Sequence, residues 1–123
     1  MPRMMLAGWV VSGLVGVVMI VSGSAKLFGF APAQVVETLQ SVWLSQQLVG
    51  LLEVSTALLY LVPRTSSAGT LLVCSYWGGA IVTHFAVGNG GYAVPLILGA
   101  LTWAGAYLRV PGAFASFAVE TSE

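Results

Sequence analysis

Glu53 stands in Leu48-Val49-Gly50-Leu51-Leu52-Glu53-Val54-Ser55-Thr56-Ala57-Leu58-Leu59-Tyr60-Leu61-Val62, a stretch with no other charge. A carboxylate inside hydrocarbon costs at least a few kcal/mol unless it is protonated, paired or hydrated. Two other side chains can meet that need: Lys26, near the end of one apolar segment, and His84, near the end of another. Glu, His and Lys together offer general acid–base chemistry or hydrogen bonding to a lipophilic molecule. Thr56 and Tyr60 share the Glu53 face at i+3 and i+7, while Trp77 and Ala80 share the His84 face at i−7 and i−4. If these faces meet, with Thr83 beside His84, they line a polar and aromatic intramembrane pocket. Each member also has a plainer reading. Lys26 can snorkel to the interface, His84 can be a hydrogen-bonded core residue, and Glu53 can tie two helices together.

Other chemistries find little material. No spacing of two His and a carboxylate would hold a metal, so none is expected. One His offers half of a haem site and nothing supplies a second signal. There is no Ser-His-Asp set, and Gly88-Asn89-Gly90-Gly91 reads as a turn rather than a phosphate loop. Cys74 is the single cysteine, which excludes an internal disulfide or a Cys-x-x-Cys pair. Trp43, Tyr76 and Trp103 read as packing or interfacial aromatics, and Trp77 and Tyr60 have the same plain reading beside the pocket one.

The elements that must position these residues follow from composition. The 123 residues are 58% hydrophobic and 7% charged, with mean hydropathy +0.94 and net charge zero. A soluble domain carries about 25% charged residues, so this chain is expected to be an integral membrane protein of one domain, residues 1–123. It has no basic run for nucleic acid. Four apolar segments are predicted as spanning helices, at about 5–28, 46–63, 67–87 and 92–110. The first is too long for a signal peptide and lacks an Ala-x-Ala site, so it reads as retained. Short connections at Pro63–Ser66 and Gly88–Gly91 make neighbours antiparallel, which predicts an all-α, up-down-up-down four-helix bundle. Between the first two segments, Val35, Val36, Leu39, Val42 and Trp43 recur on one face of a helix at about 33–45. That amphipathic helix lies at the interface or caps the bundle, and its lack of Lys and Arg favours capping.

Arg3, Arg64 and Arg109 fall on one side of this arrangement and Lys26 on the other. The positive-inside rule then places both termini in the cytoplasm and the Glu53 pocket in the outer half of the membrane. Glu53, about eight residues into its helix, is roughly 12 Å deep. Gly8-Ser12-Gly16 and Ser75-Gly79-Thr83 are small residues at four-residue spacing and are expected to be helix-packing faces.

Three pieces of the chain resemble the DoxX-like family of small four-helix membrane proteins. They are Ser22-Gly23-Ser24-Ala25-Lys26-Leu27, Gly50-Leu51-Leu52-Glu53 with Leu61-Val62-Pro63-Arg64-Thr65, and Gly79-Ala80-Ile81-Val82-Thr83-His84. Trp103 through Leu108-Arg109 closes the last helix in the family manner. The resemblance implies a four-helix bundle with Lys26, Glu53 and His84 as recurrent polar positions, in a bacterial inner membrane. The wider group includes subunits associated with thiosulfate:quinone oxidoreductases and assembly or cargo factors, so it implies a quinone-like ligand or a membrane-complex partner. Cys74, without a partner thiol, departs from any disulfide-exchanging version.

The expected function is binding of a quinone-like or other lipophilic small molecule, as part of an oxidoreductase system. Lys26, Glu53 and His84 would bond or protonate it, and Thr56, Tyr60, Trp77, Ala80 and Thr83 would line the site. Two alternatives stand beside it: a non-catalytic assembly protein, as a homo-oligomer or complex subunit, and a membrane-embedded acid–base enzyme acting on a lipophilic substrate.

Overall fold

The computed structural model describes residues 3–109. Every regular element among them is helical: α1 (Arg3–Phe28), α2 (Ala33–Ser41), α3 (Gln46–Leu61), α4 (Ser66–Val87) and α5 (Ala93–Arg109), with a 3-10 turn at Pro63–Thr65 leading into α4. The boundaries have local causes. Ser45 caps α3 by accepting the Leu48 N–H at 3.3 Å. Pro63 stops α3, since it has no N–H to give and crowds the residue before it. Gly88 takes the left-handed conformation, φ 72°, that closes α4.

Two elements differ from the sequence expectation. The amphipathic helix ends at Ser41 rather than near 45, because Trp43 turns into a positive-φ conformation, 64°. The chain thereby bends by 105° between α2 and α3. The expected end of the last helix, Val110, lies outside the described residues, as do both ends of the expected 1–123 domain.

By length and composition α1 and the Pro63–Val87 stretch can each cross a membrane, and α2 with α3 makes a third if that bent pair counts as one span. α5 is apolar but shorter, at 17 residues. α1 packs against α3 and α5, and α4 packs against the same two, while α2 rests on α3 and α4 through buried Leu39. Large apolar side chains cover the outside, among them Val10, Leu14, Val17, Val21, Leu71, Val82, Val94 and Ile97. Polar groups turn inward: Ser12, Lys26, Glu53, Thr56, Ser66, Thr70, Thr102 and Arg109 are all buried. Apolar outside and polar inside is the distribution hydrocarbon demands of a helical protein.

Small residues set how closely the helices approach. Gly8, Ser12 and Gly16 are buried on α1, as their spacing suggests. The second stripe, Ser75-Gly79-Thr83, is different. Ser75 and Gly79 are exposed, and a Cβ added at Gly79 would meet nothing within 4 Å. α4 instead buries Ser66, Gly69, Thr70, Val73 and Trp77, the face that meets its neighbours. A Cβ on Gly69 would run into the Tyr60 backbone, so this glycine lets α3 and α4 touch.

Candidate functional site

Lys26 sits in the last turn of α1 and reaches across to α3, where Nζ donates to Glu53 Oε1 at 2.6 Å. The crossing is close because glycines face each other there. A Cβ on Gly23 would lie 3.0 Å from the Glu53 Cβ, and one on Gly50 would strike the Gly23 carbonyl and the Leu27 N–H. A wider spacing would put the ammonium out of reach of the carboxylate. Ser22, one turn before Lys26, accepts a second hydrogen bond from Nζ at 2.8 Å. Gln46, at the start of α3, donates to the Lys26 carbonyl at 2.9 Å and covers one of the open carbonyls at the end of α1. From α4, Tyr76 brings its hydroxyl close to the Glu53 side chain. The centre is thus built from α1, α3 and α4.

Burial decides how much this pairing matters. Glu53 is 1% exposed and Lys26 8%. At that depth an ion pair is held by Coulomb attraction and hydrogen bonds against a desolvation cost of several kcal/mol per ion. Removing Lys26 would leave the Glu53 carboxylate with no solvent to receive it.

None of the other residues singled out in the sequence has a described hydrogen bond to the Lys26 or Glu53 side chain, although Thr56, one turn from Glu53, donates to its carbonyl at 3.2 Å. His84 Nδ1 is 2.6 Å from Asn89 Oδ1, and the Gly91 N–H donates to the same oxygen at 3.0 Å. Since that oxygen only accepts, His84 Nδ1 is the donor. His84 is eight residues, about 12 Å, along α4 from Tyr76, and none of the described hydrogen bonds or ion pairs joins it to Lys26 or Glu53. Thr83 returns its hydroxyl to the Gly79 carbonyl at 2.8 Å, and Thr56 does the same to Leu52 at 2.8 Å. Ala80 packs against the core. Tyr60 is two turns from Glu53 and belongs to a second polar level. Its hydroxyl donates to the Thr102 carbonyl at 2.9 Å, so Ser12 must donate to it, at 3.1 Å.

Trp77 is buried, with its ring edge-on to Tyr76 at 5.1 Å between centroids. It is also part of the wall of an open groove of about 320 Å³ between α4 and α5, with Cys74, Ile81, Leu96, Ala100 and Trp103. Its indole N–H is buried with no acceptor among the described residues. Three contributors to the polar centre, Ser22, Gln46 and Tyr76, were not picked out as site residues from the sequence. Ser22 had a usable signal, its i−4 spacing from Lys26. Among the described residues no group of three or more His, Cys, Asp or Glu is arranged to hold a metal ion.

A family model, that of the DoxX-like family, matches residues 10–105. The matched span contains Lys26, Glu53, Tyr76 and His84 and stops short of Arg109. No curated protein and no solved structure matches the chain.

Proposed function

The chain belongs to the DoxX-like family, and from that premise we propose that it is a membrane protein that binds a lipophilic, oxygen-bearing small molecule of quinone type at the Lys26–Glu53–Tyr76 centre. One observation carries the reading: the Lys26–Glu53 salt bridge, 2.6 Å long, enclosed among apolar helices. An apolar pair of the same volume would hold the helices together as well or better. An ionisable group kept at such depth is a functional candidate by default. A ligand carbonyl would accept from the Lys26 ammonium, and a ligand hydroxyl would donate to the Glu53 carboxylate. Tyr76 can do either, and its contact with Trp77 links the polar centre to the groove between α4 and α5. The apolar part of the ligand would lie in that groove, against Trp77, Ile81, Leu96 and Trp103.

The reading extends to the setting. Four spans in up-down order, with both termini in the cytoplasm of a bacterium and the polar centre toward the outside, suit Arg3, Arg64 and Arg109 lying together at the opposite end. A subunit delivering or holding a quinone-type molecule for an oxidoreductase system is the corresponding role. His84, apart from the centre, would serve at the groove's outer end or not at all.

A second reading has its own observation. Lys26 is already satisfied by Glu53 and Ser22, so the cluster would also work as an internal joint in a non-catalytic assembly protein. Mass spectrometry of lipid extracts from the purified protein separates the two. The binding reading expects a co-purifying lipophilic compound that is lost from a folded Glu53→Gln variant. The joint reading expects the same extract from both proteins and a lower unfolding midpoint for the variant.

A further inference from the structure

Arg109 ends α5 at the far end of the helices from Lys26, and it is 2% exposed. Its guanidinium carbon lies 4.7 Å from the Trp9 ring centroid and 4.4 Å from that of Tyr60, so aromatic faces flank it. Nη2 donates to the Tyr60 carbonyl, in the last turn of α3, where a cation also meets the negative end of the helix dipole. A Cβ on Gly8 would collide with the Arg109 backbone, so α1 is fitted closely to this residue.

Among the described residues no counter-charge meets Arg109. Nε and Nη1 of Arg109 are buried with no acceptor among the described residues. The described carboxylates are Glu37 and Glu53. Glu53 is committed to Lys26, and Glu37 is in α2, which follows the opposite end of α1. Arg3 and Arg64 share the Arg109 end and are exposed, as topology-setting cations are. Arg109 alone is carried inside. A guanidinium kept from water with open N–H groups is stable only with an acceptor charge.

We propose that Arg109 is the floor of an anion site that takes a phosphate group at the end of the helices, where α5 leaves the apolar zone. Each open N–H can give a charge-assisted hydrogen bond to a phosphate oxygen, and a tetrahedral phosphate offers several such acceptors. The headgroup phosphate of an anionic lipid and free inorganic phosphate share that chemistry.

The test is the unfolding midpoint of the purified full chain in neutral detergent. It is read with phosphatidylglycerol, phosphatidylcholine or inorganic phosphate added, because a ligand of the folded state alone raises the midpoint. Phosphatidylglycerol is expected to raise the midpoint of the wild type and of Arg64→Gln by several degrees and to leave Arg109→Gln unmoved. A matching rise with inorganic phosphate identifies a free anion as the source, and a rise with the lipid alone identifies the headgroup. No rise in the wild type, or an equal rise in Arg109→Gln, overturns the proposal. So does a wild-type midpoint that becomes lipid-sensitive only after Glu120→Gln/Glu123→Gln, since the chain's own carboxylates then supply the charge. If Arg109→Gln does not fold, Arg109→Lys decides, because it keeps the charge and loses the planar donors. It should need at least tenfold more lipid for the same rise, and an unchanged requirement overturns the site.

Discussion

Replacing Lys26 with Met tests whether the charged pair sustains the helix contacts. The substitution keeps most of the side-chain volume and removes the ammonium from Glu53, which is 1% exposed and eight residues into α3. Breaking a buried ion pair from one side costs about 3–5 kcal/mol. Interhelical polar contacts inside membranes have been weaker, up to about 1.7 kcal/mol, because the separated helices also find partners. Here both a full charge and a 2.6 Å hydrogen bond are lost, so Lys26→Met is expected to destabilise by about 3 kcal/mol, between those limits. Glu53→Leu should cost less, about 1–2 kcal/mol. Lys26 is two residues from the end of α1, and its long stem can carry the ammonium out to the interface. Glu53 has no such exit. The double variant should return to within about 1 kcal/mol of the wild type, since an apolar pair replaces the ion pair. The coupling is then at least about 3 kcal/mol. Unfolding in mixed micelles, followed by helical circular dichroism, measures all four proteins. Simple additivity of the two single effects would refute the pairing, and so would a Lys26→Met variant as stable as the wild type.

Two further substitutions test the packing. Gly69→Ala should cost about 1–3 kcal/mol, because its Cβ meets the Tyr60 backbone, which cannot swing aside. Gly79→Ala, in the same helix, should gain about 0.5–1 kcal/mol, since its Cβ meets nothing and Ala is the better helix former; equal effects at both sites in the same unfolding assay would contradict the packing face assigned to α4. Tyr60→Phe should cost about 1–2 kcal/mol, leaving the fully buried Ser12 hydroxyl without its acceptor, and restoration by Ser12→Ala in the same background would confirm that origin.

How much of this was legible in the chain varies by residue, for physical reasons. Glu53 and Lys26 are conspicuous because a charge within apolar sequence has few explanations. Gly23 and Gly50, which set the distance between them, follow the small-residue logic of close helix approach. That logic does not say which side of a helix faces inward when the helix is apolar all round, as α4 is. Gly69 and Gly79 therefore look alike in sequence and differ completely in surroundings. Tyr76 was equally silent, since an aromatic in a membrane helix suits a core, an interface or a hydrogen bond. The helix face of His84 points toward the expected pocket, but Asn89 in the turn offers it a near acceptor that helix periodicity does not reveal. The early end of α2 had no signal either, since a Trp with positive φ runs against residue preference.

The central claim is that the Lys26–Glu53–Tyr76 centre binds an oxygen-bearing lipophilic molecule. It is tested most directly by titrating a decyl-substituted benzoquinone into the purified protein and following tryptophan fluorescence, with Trp77 as the reporter beside Tyr76. Saturable quenching by the wild type, weakened at least tenfold in a folded Glu53→Gln variant, is the predicted result. Equal quenching of both proteins, or none that saturates, would contradict the account.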